Sequence, residues 1–256
     1  MSRRVRAATA AIAVIGSSTA IGDESRSENQ IESISVRSQT SISRQKKSTP
    51  SAGGPDGHGP GMRDPDKPHQ IIDAAIRVFA RNGYYNSRVS DIAREAGIAS
   101  GTIYLYFKTK DEILVTLFRE KMAEWVASVR REVAAERDPL AKVRKIVALH
   151  FRVLEDNPEL AEVLQVELRQ GQKFFRGASA HEVSAYFGVI NDVLEEGAAS
   201  GQIRRDLPVK IATKMLFGAM DQLATSWVLG KCAYRLTEAA EPVATIFLQG
   251  VCAHGV

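Results

Sequence analysis

The segment from Ser100 to Lys110 holds the residues best suited to chemistry with another molecule. The candidate contact residues are Ser100, Gly101, Thr102, Tyr104, Leu105, Tyr106, Lys108 and Lys110. Hydroxyl groups can hydrogen-bond phosphates and base edges, a leucine can lie against a thymine methyl group, and lysines add attraction to phosphate charge. A glycine allows close backbone approach. The segment therefore predicts a helix that lies in the major groove of double-stranded DNA.

A short helix and a tight turn would precede this segment. Apolar residues at helical spacing predict a helix from Arg88 to Ala96, with the Ser87 side chain as its N-cap. Gly97 can adopt the left-handed conformation that ends a helix, and Ile98 can then pack inward as the chain reverses. The second helix would begin near Ser100.

The second helix would present the contact residues to the outside. Ile103 and Phe107 are four positions apart and share a face, which we expect to pack inward. The polar residues then lie on the other faces, as in the recognition helix of a helix-turn-helix. An ordinary helical hairpin whose tyrosines only pack fits the same spacing. Thr109 and Glu112 form a capping-box pattern, which predicts a third, long helix from Lys110.

Residues 70–118 resemble the N-terminal domain of TetR-family transcriptional repressors. The resemblance rests on matches in order and spacing at Gly83-Tyr84, Asp91-Ile92-Ala93, Ala96-Gly97, Gly101-Thr102-Ile103-Tyr104, Tyr106-Phe107 and Lys110. It implies a homodimer that binds a pseudo-palindromic operator. Ala99 departs from the family pattern, which usually has Ser or Thr there as the N-cap of the recognition helix. Ser100 would then cap the helix and lose freedom to contact DNA.

The first 61 residues have a composition that cannot bury enough apolar surface to fold. They contain 12 serines and the run GGPDGHGPG. We therefore predict a disordered extension over residues 1–61. A gene start assigned too far upstream, with the true start at Met62, would account for it. A basic arm that adds nonspecific DNA contacts is the alternative.

Charge is nearly balanced in the part of the chain that we expect to fold. Residues 1–61 hold 8 Lys and Arg against 5 Asp and Glu, a net charge of +3, whereas the remainder holds 26 against 25, a net charge of +1. DNA affinity must therefore come from a few cations placed on one face.

Targeting and catalytic motifs indicate where in the cell we expect the protein and whether we expect an enzyme. Residues 1–22 imitate a secretory signal peptide, but no segment approaches the roughly 20 apolar residues that span a bilayer. Cys232 and Cys252 fit no metal-ligand spacing and suit a reducing cytoplasm. Glycine-rich phosphate loops, HExxH motifs and nucleophile elbows do not occur. We expect a cytoplasmic protein that is not an enzyme, holds no metal or cofactor and does not contact membranes.

Beyond the contact segment, helical periodicity continues to the end of the chain. We predict an all-α fold with a three-helix DNA-binding head at residues 67–111 and a larger ligand-binding and dimerisation body at residues 112–256. The expected helices are 110–136, 139–155, 158–170, 181–199, 208–229 and 237–253, three of which start at a proline (139, 158 and 208) and three of which are closely followed by a glycine (171, 201 and 230).

Large apolar residues in the body indicate either an ordinary core or a cavity for an apolar ligand. Residues 165–170, and residues 218–221 through Trp227-Val228, resemble the ligand domain of TetR-type regulators of fatty-acid degradation, which release DNA when a long-chain acyl-CoA binds. The resemblance implies such an effector. Candidate ligand residues are Trp125, Phe151, Leu164, Arg169, Lys173, Arg176, Met220 and Trp227. The three cations could form a mouth for the CoA phosphates, or only a solvated turn.

Helices 181–199 and 208–229 carry apolar residues that can form a four-helix bundle with a second copy, and internal core is the alternative. We predict a dimeric repressor released by a hydrophobic effector. A TetR-type regulator of drug efflux, which would favour a buried Glu or an aromatic cage, is the nearer alternative. A helical enzyme is the remote one.

Overall fold

The computed structural model describes residues 64–168 and 180–253, and the predictions for residues 1–61 lie outside them. Within these ranges the helices are α1 (Lys67–Asn82), α2 (Val89–Glu95), α3 (Ser100–Ile103), α4 (Lys110–Ala134), α5 (Pro139–Glu155), α6 (Pro158–Glu162), α7 (Ala180–Ala199), α8 (Val209–Leu229) and α9 (Ala240–Val251). A π-helical turn (Val163–Glu167) continues α6, and a 3-10 turn (Leu236–Ala239) precedes α9. The predicted all-α fold is confirmed.

The head consists of α1, α2 and α3 around a small core. Phe79, Ile92 and Ile103, one from each helix, are fully buried. The Arg77 guanidinium on α1 donates to the Glu95 carboxylate on α2 at 2.6 Å and lowers the pKa of that carboxyl group. These contacts hold α2 against α1. The turn after α2 then sets the direction of α3.

The turn between α2 and α3 has the predicted geometry. Gly97 has a φ of 65°, a conformation that favours glycine, and the Ile98 N–H donates to the Ala93 carbonyl at 3.0 Å as the helix ends. Ile98 is half-buried against the core. The N-cap of α3 is Ala99 and no side chain accepts at that end, so Ser100 does not cap the helix.

The prediction that Ser87 caps α2 is wrong. Ser87 is buried, and its hydroxyl donates to the Gly83 carbonyl at 2.7 Å instead of accepting from the helix. The Asp91 carboxylate takes the capping role, accepting from the Arg88 N–H at 3.0 Å. The helix therefore begins at Val89, one residue later than predicted.

Helix α4 leads from the head into the body. The Glu112 N–H donates to Thr109 Oγ1 at 3.0 Å, as the capping pattern predicts. The Glu112 carboxylate, however, accepts from the Lys108 N–H at 2.7 Å, one residue earlier than a capping box requires. The 25 residues of α4 span about 37 Å at the usual helical rise of about 1.5 Å per residue.

Helix α5 lies at the centre of the body, where it contacts α4, α7, α8 and α9. The Lys142 ammonium on α5 pairs with the Glu196 carboxylate on α7 at 2.6 Å. On another side, the Arg144 guanidinium pairs with Glu241 and donates to the Thr245 hydroxyl of α9. These polar contacts at its edges leave the apolar face of α5 for the core.

Candidate DNA-binding face and ligand cavity

Helix α3 and the turn after it form an exposed face on the head. Tyr104 and Leu105 are 56% and 62% exposed, and Ser100, Gly101 and Lys108 are exposed beside them. A Cβ atom on Gly101 would meet no atom within 4 Å, so packing inside the chain does not require glycine there. The face therefore leaves room for the close approach of another molecule.

Two of the candidate contact residues lie apart from the centre of this face. Thr102 and Tyr106 are only half exposed, and the Tyr106 hydroxyl donates to the Asp64 carbonyl at 3.4 Å. Ile103 and Phe107 are buried as predicted. Tyr106 thus connects the recognition helix to the segment that precedes α1.

Lys110 departs from the expected phosphate contact. Its Nζ atom donates to the carbonyls of Tyr84 at 2.6 Å and Ser87 at 2.9 Å, and it lies 4.3 Å from the centre of the Tyr84 ring. Partial burial lowers the pKa of this ammonium group. With its donors directed at the α1–α2 loop, Lys110 holds the start of α4 against the head rather than facing DNA.

Tyr84 is one of the residues through which the head contacts the body. Its ring packs edge-on against Phe79, with centroids 5.3 Å apart, and its hydroxyl donates to the Asp111 carboxylate at the start of α4. Burial, together with Asp111, raises the pKa of the phenol. The Tyr84 N–H donates to Glu167 Oε2 at 2.7 Å. Glu167 belongs to the π-helical turn of the body, so this hydrogen bond crosses from one part of the chain to the other.

A cavity of about 70 Å³ lies in the body. Its lining residues are Phe118, Met122, Trp125, His150, Leu154, Leu164, Gln165, Val183, Phe217 and Asp221, contributed by α4, α5, the π-helical turn, α7 and α8. Ligand pockets usually measure about 300–1,000 Å³. A large ligand therefore enters only if the surrounding helices move apart.

The candidate ligand residues divide into three groups. Trp125 and Leu164 line the cavity. Phe151, Met220 and Trp227 are buried in the core outside its lining, and the Trp227 indole N–H donates to the Tyr234 carbonyl at 2.7 Å. Arg169, Lys173 and Arg176 lie outside the described residues.

Sequence reasoning missed the polar groups of the cavity. The His150 side chain is 2% exposed, and its Nδ1 atom lies 3.3 Å from the Tyr186 hydroxyl. Gln165 accepts from the Thr225 hydroxyl at 2.9 Å. A signal was available for His150, which is four residues after Ile146 and four before Leu154 and so lies on the buried face of α5.

An open cleft of about 720 Å³ separates the head from the body beside this cavity. Trp125 borders both the cleft and the cavity. The cleft lining also includes the cations Arg77, Lys121 and Arg152, with acidic and apolar residues between them.

The exposed apolar surface of the body lies on α8 and α9. Ile211 and Met215 on α8 and Ile246 on α9 are 58%, 67% and 72% exposed. On α7, by contrast, Tyr186 and Ile190 are fully buried. Val183 and Phe187 on the same helix are only half-buried, so the pairing of helices 181–199 and 208–229 with a second copy stays a prediction.

These features define a helix-turn-helix head on a helical body, the arrangement of a bacterial transcription regulator. A profile of the tetR family of bacterial regulatory proteins matches residues 71–117, and a profile of the YsiA-like C-terminal region matches residues 118–250. The chain belongs to the TetR family.

Its relatives include regulators of fatty acid metabolism. The chain is 38% identical over 182 residues to the fatty acid metabolism regulator protein of Bacillus subtilis, covering 71% of this chain and 94% of that protein. The fatty acid degradation regulator FadR of Bacillus halodurans is 38% identical, with a TM-score of 0.71 over 74% of this chain and 98% of its own. FadR of Bacillus subtilis in complex with stearoyl-CoA is also 38% identical, with a TM-score of 0.69 over 71% of this chain and 98% of its own.

Membrane-spanning helices and metal-binding clusters are absent from the described part of the chain. None of its helices is long and apolar enough to cross a membrane. No group of three or more His, Cys, Asp or Glu side chains in residues 64–168 and 180–253 could hold a metal ion.

Proposed function

We propose that the protein represses genes of fatty-acid degradation in the cytoplasm, binds operator DNA as a homodimer and is released when a long-chain acyl-CoA enters the body. The observation that carries this proposal is the largely apolar cavity of the body, in a TetR-family chain that is 38% identical to FadR of Bacillus subtilis in complex with stearoyl-CoA. The effector is a ligand and not a cofactor of catalysis.

Helix α3 enters the major groove. Tyr104 and Leu105 extend from the turn after it toward base edges, Gly101 allows the backbone to approach the groove, and Lys108 contacts a phosphate. A two-fold dimer then places its second recognition helix about one turn of DNA, or about 34 Å, away.

Helix α8 forms the centre of the dimer interface, with α7 packed beside it. Ile211 and Met215 are followed on α8 by the exposed small residues Gly218 and Ala219, which lie on the same side of the helix. Small residues let two helices approach closely, and the large apolar residues bury their area against the second copy. We expect α7 and α8 to form a four-helix bundle with their symmetry mates, as the sequence predicts.

The acyl chain acts by enlarging the cavity. Leu164 and Gln165 line it from the π-helical turn, and Glu167 of the same turn binds the Tyr84 N–H of the head. An acyl chain that pushes the turn outward therefore displaces Glu167 and changes the orientation of the head. Because the ligand binds the body with the enlarged cavity better than the body with the small one, it shifts the population of dimers away from the arrangement that binds DNA.

Native mass spectrometry of the protein purified from its own host tests this proposal. We expect a dimer that carries one long-chain acyl-CoA per chain, or that takes up stearoyl-CoA on incubation. A dimer that stays free of ligand in the presence of stearoyl-CoA would contradict an acyl-CoA effector, and a monomer would contradict the dimeric repressor.

A further inference from the structure

Two buried N–H groups of the cavity have no acceptor in the described part of the chain. They are the ring nitrogen Nε2 of His150 and the indole nitrogen Nε1 of Trp125. The two rings lie with their centroids 5.0 Å apart, and both residues line the cavity. Buried polar atoms in folded proteins almost always have a partner, so two orphans in one cavity indicate a ligand that supplies an acceptor.

The surroundings of His150 make its Nε2 atom a donor. Tyr186 is fully buried, and burial raises the pKa of its phenol, so the hydroxyl keeps its proton; the His150 Nδ1 atom at 3.3 Å can accept that buried proton, which favours the tautomer in which the hydroxyl donates. A ring that accepts at Nδ1 carries its proton on Nε2. Burial also lowers the pKa of His150 to about 3, so the ring stays neutral near pH 7.

The position of the two donors matches the junction between acyl chain and CoA. Trp125 borders the open cleft as well as the cavity, whereas His150 lines only the cavity. The deeper lining is apolar, with Phe118, Leu154 and Phe217. A group bound between His150 and Trp125 therefore has solvent on one side and an apolar interior on the other.

We propose that His150 Nε2–H and Trp125 Nε1–H donate together to the carbonyl oxygen of the effector's thioester, which fixes how deeply the acyl chain enters. This inference rests on the proposed function, since it names the polar group that the same cavity recognises. The two donors make the protein select an acyl thioester over a chain of equal length that lacks a carbonyl.

The test compares palmitoyl-CoA with S-hexadecyl-CoA, a thioether that has the same chain length and the same CoA but no carbonyl. In isothermal titration of the full-length protein, palmitoyl-CoA should bind about tenfold more tightly than S-hexadecyl-CoA, a difference of 1.4 kcal/mol. In His150→Phe, and separately in Trp125→Phe, we expect palmitoyl-CoA to lose about that factor while the thioether binds as before. Phe118→Leu is the matched control, because it changes the apolar lining and should weaken both ligands equally.

The outcomes separate this inference from the proposed function. Equal affinity of the unaltered protein for the two ligands would overturn the carbonyl site while leaving an acyl-CoA effector intact. Failure of both ligands to bind would overturn the proposed function and this inference with it. The comparison on the unaltered protein decides the question even if a variant does not fold, which circular dichroism would reveal.

Discussion

The backbone N–H of Tyr84 donates to the Glu167 carboxylate at 2.7 Å, and this bond joins the DNA-binding head to the turn that lines the body cavity. Tyr84 is held from its other side by Lys110 and Asp111 at the start of α4. One residue therefore contacts both the cavity turn and the helix that connects the head to the body. Movement of the turn can therefore reach the head through this hydrogen bond, beside the direct packing of α1 on the turn.

Replacing Glu167 should weaken the coupling between ligand and DNA. Glu167→Ala leaves the buried Tyr84 N–H without its acceptor, which costs about 1–3 kcal/mol of stability. We expect the ratio of operator affinities without and with palmitoyl-CoA to fall by about tenfold, within the usual range of coupling energies. Glu167→Gln keeps an acceptor oxygen and should retain most of the ratio, as fluorescence anisotropy would measure. An unchanged ratio in Glu167→Ala would exclude this route.

Tyr104 should be required for operator binding and not for folding. Its side chain is 56% exposed at the end of α3, so Tyr104→Ala removes a groove contact and leaves the core intact. We expect a loss of about 1–3 kcal/mol in operator binding, the range of a good base contact, with unchanged helical content and dimer mass. Tyr104→Phe keeps the ring and removes the hydroxyl group, so it shows how much of the loss in operator binding is due to each. Operator affinity in Tyr104→Ala equal to that of the unaltered protein would refute the placement of α3 in the groove.

The two lysines after α3 should behave differently. Lys108 is exposed, so Lys108→Ala should reduce the slope of the logarithm of the DNA-binding constant against the logarithm of salt concentration by about one unit per site. It should leave the melting temperature unchanged. Lys110→Ala removes the hydrogen bonds to Tyr84 and Ser87, so it should lower the melting temperature without changing the slope. The reverse pattern would return Lys110 to the role of a phosphate contact.

The first 61 residues should be dispensable. A chain that begins at Met62 keeps all the described elements, and we expect it to fold, dimerise and bind the operator as tightly as the full chain at physiological salt. Anisotropy on the same operator measures the difference. A loss of more than about tenfold, or 1.4 kcal/mol, would show that the basic arm contributes contacts to DNA.

Most of the head could be predicted from the sequence because local signals specify it. Gly97 marks the turn, and the spacing of Ile103 and Phe107 identifies the inward face of α3. The bonds of Ser87 and Lys110 to backbone carbonyls were not predicted, because a hydroxyl or ammonium group can take several partners and its type does not say which. A lysine that binds backbone carbonyls looks the same in a sequence as one that binds phosphate.

The cavity could be predicted only in part. Trp125 and Leu164 line it, whereas Met220, of equally suitable type, is fully buried outside its lining. The difference depends on where side chains from five elements fail to fill the space between them. Residue type and spacing do not reveal where such unfilled space lies, because the close packing of a core depends on differences smaller than the size of one methyl group.

Titration of the complex between protein and operator with acyl-CoA tests the account most directly. Each buried methylene contributes about 0.8 kcal/mol, so a long chain can provide the difference in affinity between two body arrangements that CoA alone lacks. We predict that acyl-CoA of twelve to eighteen carbons releases the operator at micromolar concentration and that free CoA does not. A complex that stays intact under the same titration would contradict control by acyl-CoA.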